Sequence, residues 1–229
     1  MAAGCVGVVI HPMPRLPGHL RKDYLNREHL HRPIVLVDMA QGAQKRSLVL
    51  SDNYRACREM TTDLTPAGHR RIALVLIEAP EGRLEHRSSH DRHWGYLAAM
   101  RAAGLTPRPG DQWEEVFAVP DPMAAADQLA SRWLQQRERA TAAIAASDFP
   151  ALCVTVGVRA AGLRVPEDLT VVGFDNLETC HPAGLSFPTT NPDFRLAGEI
   201  AADLVLQQHR GELREQATYV LPVPVLRPE

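Results

Sequence analysis

The run Leu169–Phe174 (LTVVGF) constrains this chain more than any other stretch. It is continuously β-branched and apolar, so as a strand it needs cover on both faces. Gly162 precedes it and suits the end of a helix, and Pro166, Glu167 and Asp168 make a turn. Asp175 and Asn176 follow it directly. They fall just past the carboxyl end of the strand, where open parallel α/β sheets bind their ligands.

Runs of the same kind recur at Val6–Ile10 (VGVVI), Ile34–Asp38 (IVLVD) and Arg71–Ile77 (RIALVLI). Shorter strands are expected at Leu48–Leu50, Trp113–Val119 and Thr141–Ala145. A last strand is expected over 217–226, at a sheet edge because Pro222 and Pro224 interrupt it. Between them, helices are expected over Leu20–Leu30, Tyr54–Leu64, Asp91–Ala103, Met123–Gln136, Ala151–Ala161 and Phe194–His209. Residues 13–19, 41–47 and 78–89 read as loop. Strand alternating with helix argues for an α/β fold with parallel sheet.

A formal net charge of −2 over 229 residues is a poor match to phosphate backbone over a broad face. Any DNA contact would need a separate local module, and the sequence contains no recognisable one. No apolar run approaches the ~20 residues that span a bilayer. The start, MAAGCVGVVIHP, lacks a secretory pattern. A cytoplasmic protein without membrane contact is the expectation. Cys5, Cys57, Cys153 and Cys180 form no CxxC pair and read as buried or half-buried thiols. His86, His90 and His93, with Asp91 among them, have the spacing of metal ligands on one helix face. Arg87 and Arg92 flank them, and a solvated polar loop is the reading preferred over a metal site. There is no nucleophile elbow, HExxH or P-loop, and Gly4 and Gly7 precede their strand instead of following it. No catalysis and no cofactor are expected.

Four blocks then stand in order: GHRRIALVLI (Gly68–Ile77), ASDFPAL (Ala146–Leu152), GLRVPEDLTVVGFDN (Gly162–Asn176) and TTNPDFRLAG (Thr189–Gly198). Together, with the closing LPVPVLRPE, they resemble the effector-binding domain of the lac/galactose repressor family of bacterial transcription regulators. The resemblance implies a type I periplasmic-binding-protein-like fold of two doubly wound parallel-sheet subdomains. It implies a small-molecule effector, commonly a sugar or nucleoside-like compound, in the cleft between them. It also implies a homodimer that reaches operator DNA through an N-terminal helix-turn-helix. The strand VGVVI corresponds to the third strand of such a domain, so this chain is expected to lack that module and the first two strand–helix units. Residues 1–66 with 191–213 would form an incomplete N-subdomain, and 67–190 with 214–229 a complete C-subdomain. A sheet so shortened would expose an edge, and self-association or poor solubility is the expectation. Where such proteins often carry a glutamine before the last long helix, this chain has Pro192.

The resemblance places ligand contacts at strand ends: His11, Asp52, Asn53, Arg92 (in the pattern Arg92-x-x-Gly95-Tyr96), Phe117, Ser147, Asp148 and Asp175. Donor forks, carboxylate and amide acceptors, and an aromatic face suit a polyhydroxylated ligand. Each residue has a plainer role open to it. Asp148 could cap a helix, Asp52 and Asn53 could form a turn or cap, Phe117 could be core, and Arg92 could form a surface ion pair. An α/β enzyme, or a periplasmic solute-binding protein, would use the same strand ends.

Overall fold

The computed structural model describes residues 4–11, 32–38, 46–77, 87–108, 110–115, 122–180, 186–213 and 215–227. The elements in chain order begin with β1 (Val8–Ile10), β2 (Ile34–Val37), β3 (Ser47–Ser51) and α1 (Asn53–Leu64). β4 (Ile72–Ile77), α2 (Arg87–Ala102), β5 (Gln112–Glu115), α3 (Pro122–Leu134) and β6 (Ala142–Ala145) follow. The chain continues with α4 (Asp148–Ala160), β7 (Thr170–Val172), a 3-10 turn (Glu178–Cys180) and β8 (Thr189–Thr190). It closes with α5 (Phe194–His209), β9 (Thr218–Leu221) and β10 (Val225–Leu226). The α/β class with parallel sheet read from the sequence is the one observed. The chain divides into two compact units: Met1–Asp52, Glu85–Ser88 and Asp193–Pro222 in one, and Asn53–Leu84, Ser89–Pro192 and Val223–Glu229 in the other.

The first unit holds a parallel sheet in the order β1-β2-β3-β9. Val35, Val37 and Val49 meet Ala197, Ala201, Leu204 and Val205 of α5. Those four positions recur at helical spacing, so α5 shows the sheet one apolar stripe. The buried Ser47 hydroxyl ties helix to strand: it accepts from Gln208 Nε2 at 2.6 Å and from the Ala217 N–H at 3.1 Å.

The second unit holds a parallel sheet in the order β5-β4-β6-β7 and a two-stranded antiparallel piece, β8 with β10. β4 shows why its sequence carries no polar alternation. Ala73 and Val75 pack with Leu129, Trp133, Val154 and Val158 of α3 and α4. Ile72, Leu74 and Leu76 pack on the opposite face with Met60, Leu64, Tyr96 and Met100 of α1 and α2. The polar tips of the two buried rings are satisfied by backbone: Tyr96 Oη donates to Ile72 O and Trp133 Nε1 to Ala140 O, both at 2.8 Å. Gly162 ends α4 as expected, with φ of 79°. The Gly162 N–H donates to Arg159 O and the Leu163 N–H to Val158 O, the paired bonds of a Schellman cap.

Several expectations are corrected. α1, expected in the first unit, packs its buried face into the second unit's core. The expected strand over 217–226 is two: β9 pairs with β3 in the first unit and β10 with β8 in the second. Pro222 and Pro224, which cannot donate to a ladder, fall between them. Residues 87–89, read as loop, belong to the first turn of α2, which starts at Arg87. α4 starts at Asp148 instead of Ala151. Pro150 sits in its first turn, where a missing N–H breaks no helical bond. The helix expected over Leu20–Leu30 and the loop at 13–19 lie outside the described residues.

Candidate ligand site

The carboxyl end of β7 turns through two consecutive left-handed residues, Asp175 (φ 88°) and Asn176 (φ 49°). Asn and Asp tolerate this region better than other non-glycine residues, but two in succession need outside support. β8 supplies it. The Asp175 N–H donates to Thr190 Oγ1 at 3.1 Å and the Asn176 N–H to Thr189 Oγ1 at 3.3 Å. Gly173, just before the turn, has to be glycine: a Cβ there would lie 2.1 Å from Asp148 Oδ1 and 2.7 Å from the Phe187 ring.

Arg92 of α2 reaches the same end of the sheet and is 9% exposed. Nε–H donates to Asn53 Oδ1 at 3.1 Å, Nη1 to Ala146 O, and Nη2 to Asp175 Oδ1 at 3.2 Å. The guanidinium lies over the Phe174 ring, 4.4 Å from its centroid. A charged fork with fixed acceptors and an aromatic floor is held in one orientation. The Arg92-x-x-Gly95 spacing has a physical reason. A Cβ at Gly95 would stand 2.3 Å from Tyr54 O, so only glycine lets α2 come this close to α1, the helix that carries Asn53.

Asn53, Arg92 and Asp175 are therefore brought into one hydrogen-bonded group. Ser147 is buried and immediately precedes α4 as its N-cap residue. Asp148 is bonded inward. It is 1% exposed, its Oδ1 accepts from the Thr189 hydroxyl at 2.6 Å, and its Oδ2 accepts from the Leu177 N–H at 2.7 Å. That is the geometry of an internal anchor. His11, exposed after β1, and Asp52, half-buried after β3, belong to the other unit. Phe117 and His86 lie outside the described residues. Among those described, no group of three or more His, Cys, Asp or Glu side chains is placed to hold a metal. No described helix is long and apolar enough to cross a membrane.

Three features escaped the sequence reading. Phe174 was counted only as strand. Thr189 and Thr190 open the block TTNPDFRLAG but were given no role at the site. Asp38, the last residue of the expected strand Ile34–Asp38, has φ of 52° and accepts from Ser51 twice, from N–H at 2.7 Å and from the hydroxyl at 3.0 Å. The signal for Asp38 was available, since it follows IVLV as Asp175 follows LTVVGF. The thiols sit where expected, with Cys57, Cys153 and Cys180 buried and Cys5 half-buried. Burial pushes Cys57 up to about 12 despite the nearby Arg92 charge, and Cys153 up to about 11. Both stay protonated at neutral pH and are poor nucleophiles.

A family model for the periplasmic binding protein-like domain matches residues 61–228. The chain belongs to this family. The transcriptional repressor PurR of Aliivibrio salmonicida (strain LFI1238) is 24% identical over 187 residues, covering 82% of this chain and 54% of that protein. The transcriptional regulator CelR of Thermobifida fusca is 31% identical over 181 residues, covering 76% and 49%. A solved CelR–cellobiose complex superposes with a TM-score of 0.74 at 27% identity, over 91% of this chain and 68% of that one. The resemblance to lac/galactose repressor effector domains, read from four sequence blocks, holds. This periplasmic binding protein-like domain spans about half the length of the curated relatives it matches.

Proposed function

We propose that this chain is the effector-sensing part of a transcription regulator, and that Arg92 and Asp175 take a small polyhydroxylated ligand of the sugar class. The observation that carries the reading is the preorganised Arg92–Asp175 pair at the carboxyl edge of a parallel sheet. A guanidinium donates to ligand hydroxyls and a carboxylate accepts from them. The pair stands ready before ligand arrives, so little ordering entropy is lost on binding. The relative CelR is solved with cellobiose, which fits this donor–acceptor set.

In this reading the ligand selects one arrangement of a cytoplasmic homodimer, and operator affinity changes by linkage. Operator contact belongs to a helix-turn-helix such as the longer relatives' names describe. The test is a thermal-shift screen of mono- and disaccharides, cellobiose included, with nucleosides as a second class. A ligand at about 100 times its Kd stabilises by about 2.7 kcal/mol, a rise of roughly 5–10 °C for a chain of this size. Asp175→Asn, which tolerates the left-handed turn, should lower affinity at least about tenfold while the chain still folds. No shift from any sugar or nucleoside, or an unchanged affinity in Asp175→Asn, rejects the assignment.

A further inference from the structure

The geometry points to Thr189 and Thr190, backed by the buried Asp148, as positioning residues that set where the Asp175 carboxylate meets Arg92. The functional consequence rests on the ligand reading above; the positioning itself rests only on contacts within the second unit.

Asp175 and Asn176 have positive φ in succession, so the backbone there is not held by ordinary strand geometry. β7 ends at Val172, and the Asp175 and Asn176 N–H groups go to side chains instead. Both acceptors are threonine hydroxyls, adjacent on β8. Thr190 is fully buried and Thr189 nearly so.

A hydroxyl has one proton to donate and two lone pairs to accept with. Thr189 gives its proton to Asp148 Oδ1 at 2.6 Å, a charge-assisted bond. That donation leaves its lone pairs to accept the Asn176 N–H. Asp148 therefore fixes the sense in which Thr189 can bond. The other Asp148 oxygen takes the Leu177 N–H at 2.7 Å. Three consecutive N–H groups, at 175, 176 and 177, are thus claimed by Thr190, Thr189 and Asp148 in turn. Asn191 extends the series by accepting from Asn176 Nδ2 at 3.1 Å. β8 is itself held by β10, through Val225 opposite Thr190 and Leu226 opposite Thr189.

The effect is selective. Arg92 has three other supports, namely Asn53, Ala146 and the Phe174 ring. The Asp175 backbone is held at the turn by its N–H bond to the Thr190 hydroxyl. Removing the Thr190 hydroxyl should leave the arginine seated and let the carboxylate wander, so that the pair loosens from the acceptor side.

The experiment compares Thr190→Val, which keeps shape and loses the hydroxyl, with Thr190→Ser, which keeps the hydroxyl. Solvent exchange of the Asp175 amide and of the Arg92 Nε–H is read by NMR in the ligand-free chain. Leu74 and Ile144 amides in β4 and β6 serve as the reference. Thr190→Val should speed exchange at Asp175 about tenfold and at Arg92 Nε–H by a smaller factor, with Leu74 and Ile144 unchanged. Thr190→Ser should match the parent chain. Unchanged exchange at Asp175 in Thr190→Val overturns the proposal. So does equal acceleration at Leu74 and Ile144, which marks a general loss of stability, and so does a serine variant that behaves as the valine one. Thr190→Ala carries the same expectation if the valine variant fails to fold. If neither folds while Thr190→Ser does, the bond is needed for the fold itself and positioning is rejected. A cellobiose titration forms the second arm: binding by the parent chain and at least about tenfold weaker binding by Thr190→Val is the expected result. A parent chain that ignores cellobiose counts against the sugar reading and leaves the exchange result to decide the positioning.

Discussion

Asp38 and Asp175 occupy equivalent places in the two units. Each is an aspartate in left-handed backbone just past a buried parallel strand. Their partners differ. Asp38 has both oxygens on Ser51, at the end of the adjacent strand β3, and works as a clasp between two strand ends. Asp175 meets a guanidinium delivered by a helix, with an aromatic ring beneath it. A strand-end carboxylate is therefore not a binding group by position alone. The difference at Asp175 is that a second element brings a charged donor to it while part of the side chain, 21% exposed, stays open to solvent.

The sharpest way to break this contrast is to remove the donor. Arg92→Met keeps the stem and removes the charge. Asn53 and the Ala146 carbonyl lose a donor, and Asp175 loses its counter-charge. We expect a loss of about 2–3 kcal/mol, because buried polar partners are left unmade while Asp175 retains some solvent. Urea melts followed by Trp133 fluorescence measure it. A loss below about 0.5 kcal/mol would show that the guanidinium is poised for ligand without bearing on the fold.

The clasp gives a smaller effect. Asp38→Asn keeps the left-handed turn but places an amide where the Ser51 hydroxyl or N–H must donate. About 1–2 kcal/mol should be lost. Faster exchange at the Ser51 amide should mark the change, with Asp175 and Leu74 amides steady. If sugar affinity fell in this variant as far as in Asp175→Asn, the two aspartates would share one role and the contrast drawn here would fail.

The same contrast explains what the sequence revealed. The parallel sheets were legible because Ile72–Leu76 has no polar alternation, and both of its faces are indeed covered. Asn53, Arg92 and Asp175 were among the eight strand-end residues named through the family resemblance, and hydrogen bonds join these three. The role of Asp148 was not, because its partners Leu177 and Thr189 are 29 and 41 residues away. The placement of α1 was hidden for a related reason. An apolar stripe of Ala56, Cys57, Met60 and Leu64 says that a helix packs, and does not say against which sheet. The first turn of α2 was missed because Arg87–His90 carries no apolar periodicity.

The smallest expected effect is one of pH, and it too separates the units. His69 follows α1 and leads into β4, and its Nδ1 lies 2.9 Å from Thr141 Oγ1. Partial burial disfavours the charged ring, so the folded chain holds it below its ordinary value of 6.5. The unfolded chain then takes up the proton first as pH falls. The contribution of His69 is intact above the unfolded value and declines as pH drops through it toward the lower folded value. Because His69 is only partly buried, the decline should be slight. Amide exchange at Ile72 and Thr141 should quicken between about pH 7 and pH 5 in the parent chain, beyond the intrinsic pH dependence of exchange, and less so in His69→Gln. Val49, in the first unit, should show no difference between parent and variant. A difference there equal to that at Ile72 would mean that the two sheets open together, and the second unit could not be treated as a frame that holds Arg92 and Asp175 independently of the Asp38 clasp.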